Sequence, residues 1–222
     1  MRTSYYIGRK AVTASGLGNT DIPRAILSDV GGILVEDQWP LVARSLANQT
    51  SVSADRLEEV LRSSARELDL GRVSIDGFRE TVCRIAGVSF GPRRFRSAVL
   101  DDGLKLIGEN MEYMLGLRTS RQLQFVAVTN VGPETADALE ERFKLSRLFS
   151  GFARSHAVGA LKPAASIYQE GLRLVGFPPS QTLFVDDVPT YVTAAEALGI
   201  PSLLVPQPKA LVPLLSSRLQ PR

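Results

Sequence analysis

The sequence predicts an α/β protein with a doubly wound, parallel, Rossmann-like sheet and an inserted helical block. From about residue 116 to the C-terminus, short apolar segments rich in β-branched residues alternate with amphipathic helical segments. One further strand segment, 25–28, precedes them. The stretch between, 38–115, has helical periodicity and no convincing strand. Alternating strands and helices are typical of a parallel sheet covered by helices on both faces.

The spacing of apolar residues and the helix-cap residues predict the first strand and the helices of the inserted block. Segment 25–28 (AILS) is an apolar run that ends at Asp29. In the block, two helices are expected to begin after the N-cap residues Ser53 and Ser74, and the second to stop at Gly87. A third helical stretch covers about 104–115. We therefore expect segments 25–37 and 116–222 to form the core domain, and 38–115 to form a helical cap.

The remaining strands and helices follow in alternation. The strand segments are 123–130 (LQFVAVTN), a short one near Phe152, 182–187 (TLFVDD) and 202–205 (SLLV). The helices between and after them are one opened by Pro133, one at about 164–175, one ending at Gly199 and a short one near the C-terminus.

Composition excludes several classes of protein. The 222 residues are 44% hydrophobic and 22% charged, as in an ordinary globular protein. No apolar run reaches the roughly 18 residues that a membrane span needs. The N-terminus lacks a signal-peptide pattern, and a single cysteine, Cys83, cannot form an internal disulfide. We expect a cytoplasmic protein without a membrane partner, and no oligomeric state is predicted.

The net charge of +3 does not indicate a nucleic-acid-binding protein. Segment 1–24 carries four basic residues and one acid, whereas charges in the rest of the chain cancel. This segment is rich in Ser, Thr and Gly without periodicity, so we interpret it as a flexible N-terminal extension. A body without a basic excess gives no reason to expect nucleic acid as a partner.

Polar residues follow three of the predicted strands. Asp29 ends the first, Thr129 and Asn130 end the second, and Asp186 and Asp187 end the strand at 182–187. The carboxyl ends of parallel strands meet at one edge of a sheet, where ligands bind in folds of this class. The sequence therefore predicts a functional site at that edge.

These residues also lie in motifs that resemble those of the haloacid dehalogenase-like (HAD) hydrolase superfamily. The motifs stand in the family's order between about residues 25 and 205: SDVGGIL with Asp29, VTN with Thr129 and Asn130, SHAVGALKP with Lys162, and LFVDD with Asp186 and Asp187. The inserted helices correspond to the family's cap domain. Segment 1–24 lies outside the resemblance.

The resemblance implies a phosphatase of small phosphorylated metabolites. In the family's phosphatases the first aspartate, here Asp29, attacks phosphorus and forms an aspartyl-phosphate that water hydrolyses. Lys162 would supply positive charge to the phosphate and to Asp29. Thr129 and Asn130 would donate hydrogen bonds to phosphate oxygens.

The resemblance also implies a Mg²⁺ cofactor. Its ligands would be Asp29, the main-chain carbonyl of Gly31, Asp186 and, directly or through water, Asp187. A cation there would allow an anionic phosphate to approach a carboxylate nucleophile.

Gly31 departs from the family pattern. Most family phosphatases carry an aspartate at this position, which acts as general acid and base and contributes roughly 10²–10⁴-fold in typical enzymes. We therefore expect a preference for phosphates with good leaving groups, such as anomeric or acyl phosphates, unless another acid substitutes. Glu36 and Asp37 are the candidates in sequence.

Two other functions remain open at this point. A 2-haloacid dehalogenase uses the aspartate to attack carbon and needs no metal, and the acidic pair Asp186 and Asp187 argues against it. The other is a non-catalytic HAD fold with a binding or regulatory role, in which Gly31 would reflect the loss of a catalytic acid. Retention of Asp29 and Lys162 disfavours that reading.

Overall fold

A five-stranded parallel sheet forms the centre of the computed structural model, which describes residues 22–220. Its strand order is β3-β2-β1-β4-β5, so the predicted fold class is confirmed. The predicted N-terminal extension, 1–24, lies almost entirely outside the described residues. The strands are β1 (Ala25–Ser28), β2 (Gln124–Thr129), β3 (Gly151–Arg154), β4 (Thr182–Asp186) and β5 (Ser202–Leu204).

Helices cover both faces of this sheet and form the inserted block. In the block they are α1 (Gln38–Ala47), α2 (Ala54–Ser64), α3 (Arg66–Asp69), α4 (Ile75–Ala86) and α5 (Pro92–Ser97), followed by a π-helical turn (Ala98–Asp102). The others are α6 (Gly108–Ser120), α7 (Pro133–Phe143), α8 (Ser155–Val158), α9 (Ala165–Val175), α10 (Pro189–Ala197) and α11 (Leu211–Arg218). No helix within residues 22–220 has the length and apolar character needed to cross a membrane.

The helix caps predicted from sequence form. The hydroxyl of Ser53 accepts from the Arg56 amide at 3.3 Å at the start of α2, and Ser74 caps α4 in the same way. Gly87 ends α4 with φ of 68°, a left-handed conformation that glycine adopts without steric cost.

Three clusters of buried side chains make up the core. Alternate strand residues point to opposite faces, so Ile26 joins the cluster under α6, α7 and α11, whereas Leu27 joins the cluster under α9. The third cluster, from Val42 to Val99, lies inside the helical block. Helix α6 packs in the first of these clusters, and its Asn110 amide donates to the Ile33 carbonyl at 2.7 Å. The domain boundaries at 37/38 and 115/116 stay predictions.

Helix α3 packs against the carboxyl edge of the sheet. Ser155, which is fully buried, accepts a hydrogen bond from the Val131 amide at 2.8 Å and donates one to the Asp69 carbonyl at 2.5 Å. The Leu68 carbonyl lies against Gly132, where an added Cβ would come within 2.5 Å of it. This contact fixes the end of α3 beside the loop that follows β2.

Candidate active site

The ends of β1, β2 and β4 bring the predicted site residues together. Because β1 lies between β2 and β4 in the sheet, Asp29 is central, with Thr129 on one side and Asp186 on the other. The Asp29 carboxylate accepts a hydrogen bond from the Val30 amide at 2.7 Å. Its side chain is mostly buried but lines an open cavity, so it is oriented and accessible.

Lys162 lies between two of the aspartates. Its Nζ is 2.7 Å from Asp29 Oδ2 and 2.7 Å from Asp186 Oδ2, and the residue is only 3% exposed. Burial alone would lower the pKa of the Lys162 ammonium, but the charges of Asp29 and Asp186 outweigh it and raise the pKa. Lys162 is therefore a fixed cation next to Asp29.

Asn130 holds the main chain of Lys162. Its Oδ1 accepts from the Lys162 amide at 2.8 Å, and its Nδ2 donates to the Lys162 carbonyl at 3.3 Å and to the Tyr191 hydroxyl at 3.4 Å. The Tyr191 ring also faces the ammonium, with Nζ 5.0 Å from the ring centroid. Sequence reasoning predicted Asn130 as a phosphate donor, which stays a prediction, and did not predict this positioning contact.

Three carboxylates converge on one point. Ligand oxygens of Asp29, Asp186 and Asp187 lie within 4.8 Å of one another. Burial and the Asp29 charge raise the pKa of Asp186 despite Lys162, and they raise the pKa of Asp187 to about 6. Three carboxylates around one ammonium leave an excess of negative charge, and carboxylate oxygens are the ligands that Mg²⁺ prefers. The donor set therefore fits a small divalent cation.

Gly32 is required for this arrangement. Its φ of +68° lies in the left-handed region, and an added Cβ would lie 2.1 Å from Asp187 Oδ2. The second glycine of the motif thus lets the turn after β1 pass directly beside Asp187.

Gly31 behaves differently from Gly32. It is exposed, and no heavy atom lies within 4 Å of a Cβ added there. The position where most HAD phosphatases carry an acid is therefore open space. Of the two substitutes considered from sequence, Asp37 is paired with Arg62 and caps α1 by accepting from the Trp39 amide at 3.4 Å, whereas Glu36 is exposed.

The cavity above Asp29 is formed jointly by core and cap. Its volume is about 460 Å³. The core contributes the predicted residues Asp29, Gly31, Thr129, Asn130, Lys162 and Asp187, and the helical block contributes Trp39, Arg62, Ala65, Arg66 and Asp69. Sequence reasoning missed Asp69, because nothing in the stretch RELD (66–69) distinguishes it from the neighbouring acid Glu67.

Comparison with known proteins places the chain in a family. Residues 23–199 match the family described as haloacid dehalogenase-like hydrolase. The chain belongs to this family. Among curated HAD relatives, a D-ribitol-5-phosphate phosphatase of Bacteroides thetaiotaomicron is 26% identical over 183 residues, which cover 78% of this chain and 87% of the relative.

Solved HAD structures share the fold. A HAD family enzyme of Bacteroides thetaiotaomicron, solved in complex with magnesium and inorganic phosphate, matches with a TM-score of 0.65 at 18% identity over 82% of this chain and 93% of that one. An L-2-haloacid dehalogenase matches with a TM-score of 0.69 at 21% identity over 84% and 87%. These TM-scores show the common fold, and the match to the family over residues 23–199 confirms the predicted family.

Proposed function

We propose that this HAD hydrolase is a Mg²⁺-dependent phosphatase that hydrolyses a small phosphorylated metabolite, such as a sugar phosphate, through an aspartyl-phosphate. The observation that carries the proposal is the convergence of the Asp29, Asp186 and Asp187 carboxylates beside Lys162. The named activity of the ribitol-phosphate relative supports the same class of substrate.

Asp29 is the nucleophile in this proposal. Its Oδ attacks phosphorus, the bond from phosphorus to the leaving oxygen breaks, and water then hydrolyses the aspartyl-phosphate to regenerate the carboxylate. Lys162 holds Asp29 and balances the charge of the phosphate. Thr129 and the main-chain amide of Asn130 would donate to the phosphate oxygens, because the Asn130 side chain is already bonded to Lys162 and Tyr191.

Mg²⁺, bound by Asp29, the Gly31 carbonyl, Asp186 and Asp187, would supply the positive charge that lets phosphate approach the carboxylate. Core and cap residues together line an open cavity of about 460 Å³, a size that suits a small metabolite.

The dehalogenase alternative is disfavoured by the same carboxylates. Attack on carbon needs no metal. Without a bound cation, the carboxylates of Asp186 and Asp187 would repel both the Asp29 carboxylate and the carboxylate of a haloacid substrate. A purely binding function gives no reason for Lys162 to be buried against Asp29.

Turnover assays test the proposal. We expect phosphate release from 4-nitrophenyl phosphate and from members of a panel containing D-ribitol 5-phosphate and sugar 1-phosphates, with Mg²⁺ and not with EDTA. Asp29→Asn abolishes this release, whereas the exposed control Asp55→Asn retains it. Halide release from 2-chloropropionate without metal, or no Asp29-dependent phosphate release across the panel, would overturn the proposal.

A further inference from the structure

The proposed phosphatase lacks an acid at the position where HAD phosphatases usually have one. Alkyl phosphates have poor leaving groups, and their cleavage gains roughly 10²–10⁴-fold when a side chain protonates the leaving oxygen. Gly31 cannot do so, and the space beside it is empty. A side chain that protonates the leaving group must then reach the cavity from elsewhere.

Asp69 reaches this cavity from the cap. It is the last residue of α3 and lines the same cavity as Asp29 and Gly31. Its main chain is fixed at both polar atoms, because its amide donates to the Ala65 carbonyl at 2.9 Å and its carbonyl accepts from Ser155 at 2.5 Å. The main chain is therefore held in place at the point where Asp69 lines the cavity.

The other carboxyl groups lining the cavity are less suitable. Asp37 is paired with Arg62, and Asp187 belongs to the carboxylate cluster. Glu36 is exposed at the rim of the cavity. Among the cavity carboxyl groups of residues 22–220, Asp69 is the half-buried one that is neither paired with a cation nor part of the cluster.

We propose that Asp69 is the general acid of this enzyme, an inference that rests on the proposed phosphatase function. As Asp29 attacks phosphorus and the phosphorus–oxygen bond breaks, the Asp69 carboxyl proton moves to the leaving oxygen. The products are the aspartyl-phosphate, a neutral alcohol and the Asp69 carboxylate, which regains its proton from water. The cap thus supplies the acid that the first motif lacks.

The electrostatics of Asp69 agree with this role. Burial and the negative charge of Asp29 raise the pKa of Asp69 to about 7. A carboxyl group with such a pKa carries its proton in a large fraction of molecules near neutrality, as a general acid must.

The test uses substituted phenyl phosphates, which have no further hydroxyl for the cap to bind. Leaving-group release in the first turnover is measured by stopped flow or rapid quench, with Mg²⁺, for wild type, Asp69→Asn and the matched control Glu67→Gln. Glu67 lies in the same helix, pairs with Arg72 at 3.3 Å and does not line the cavity. The first turnover isolates bond breaking from later hydrolysis of the aspartyl-phosphate.

We expect Asp69→Asn to slow the cleavage of phenyl phosphate by roughly 10²-fold or more and that of 4-nitrophenyl phosphate by less than about threefold. The reason is that the phenol oxygen is the more basic leaving group and needs a proton, whereas the 4-nitrophenol oxygen does not. The control keeps the wild-type dependence on leaving-group pKa. Equal slowing of both substrates by Asp69→Asn, or no slowing of either, would overturn the assignment while leaving the phosphatase function intact. Absence of Asp29-dependent turnover in wild type would overturn both.

Discussion

Restoring an acid at Gly31 should rescue the enzyme that lacks Asp69. In an Asp69→Asn background, Gly31→Asp adds a carboxyl group beside Asp29, on the cavity wall. The substitution meets no heavy atom within 4 Å of its Cβ, and the Gly31 φ is outside the left-handed region, so neither overlap nor strain opposes it. The new carboxyl would also feel the Asp29 charge that helps raise the pKa of Asp69.

The expected size of the rescue follows from the size of the loss. If Asp69→Asn costs roughly 10²-fold on phenyl phosphate, Gly31→Asp should recover at least about tenfold of it, because either position offers a proton to the same oxygen. First-turnover release of phenol measures the recovery, and Gly31→Asn in the same background controls for bulk. Equal rates for the two double variants would refute the reasoning that Gly31 and Asp69 are alternative positions for one acid.

Three further predictions concern the scaffold. Gly32→Ala, which drives a Cβ into Asp187, should abolish Mg²⁺-dependent turnover and weaken Mg²⁺ binding measured by calorimetry. Ser155→Ala leaves the buried Val131 amide without its partner and should lower the free energy of unfolding by about 1–3 kcal/mol in urea titrations. The raised pKa of Asp69 means that the folded protein binds the carboxyl proton of Asp69 more tightly than the unfolded chain does. The protonated Asp69 therefore contributes to stability at low pH, and this contribution is lost as pH rises from about 4 to about 7. In EDTA, the free energy of unfolding of Asp69→Asn should therefore rise relative to that of wild type as pH increases from about 4 to about 7. A difference in unfolding free energy that does not change with pH would contradict this.

The carboxyl-edge residues were predictable because the sheet itself constrains them. Once strands 25–28 and 182–187 are recognised as parallel, Asp29 and Asp186 must meet at one edge, whatever the side chains around them. Lys162 lies in a loop with no such constraint, and only its motif identified it. Its contact with Asn130 depends on how that loop folds back, which no periodicity encodes.

The contacts between the cap helices and the core were harder to predict. Ser53 and Ser74 specify where helices start, but the apolar pattern of a helix does not say which partner buries it. Helix α6 illustrates this, because it packs with the sheet through Met111 and Met114. Asp69 lies at the cavity where Ser155 docks the end of α3 onto the core, and that contact joins residues 86 positions apart.

Trapping the phosphoryl group tests the central claim most directly. The enzyme is mixed with 4-nitrophenyl phosphate and Mg²⁺, quenched in acid within the first turnover, and the peptides are mapped by mass spectrometry. We expect a phosphoryl group on Asp29 in the wild type, and none after EDTA treatment or in Asp29→Asn. Turnover that leaves Asp29 unmodified, or that persists in Asp29→Asn, would contradict the assignment of Asp29 as the nucleophile.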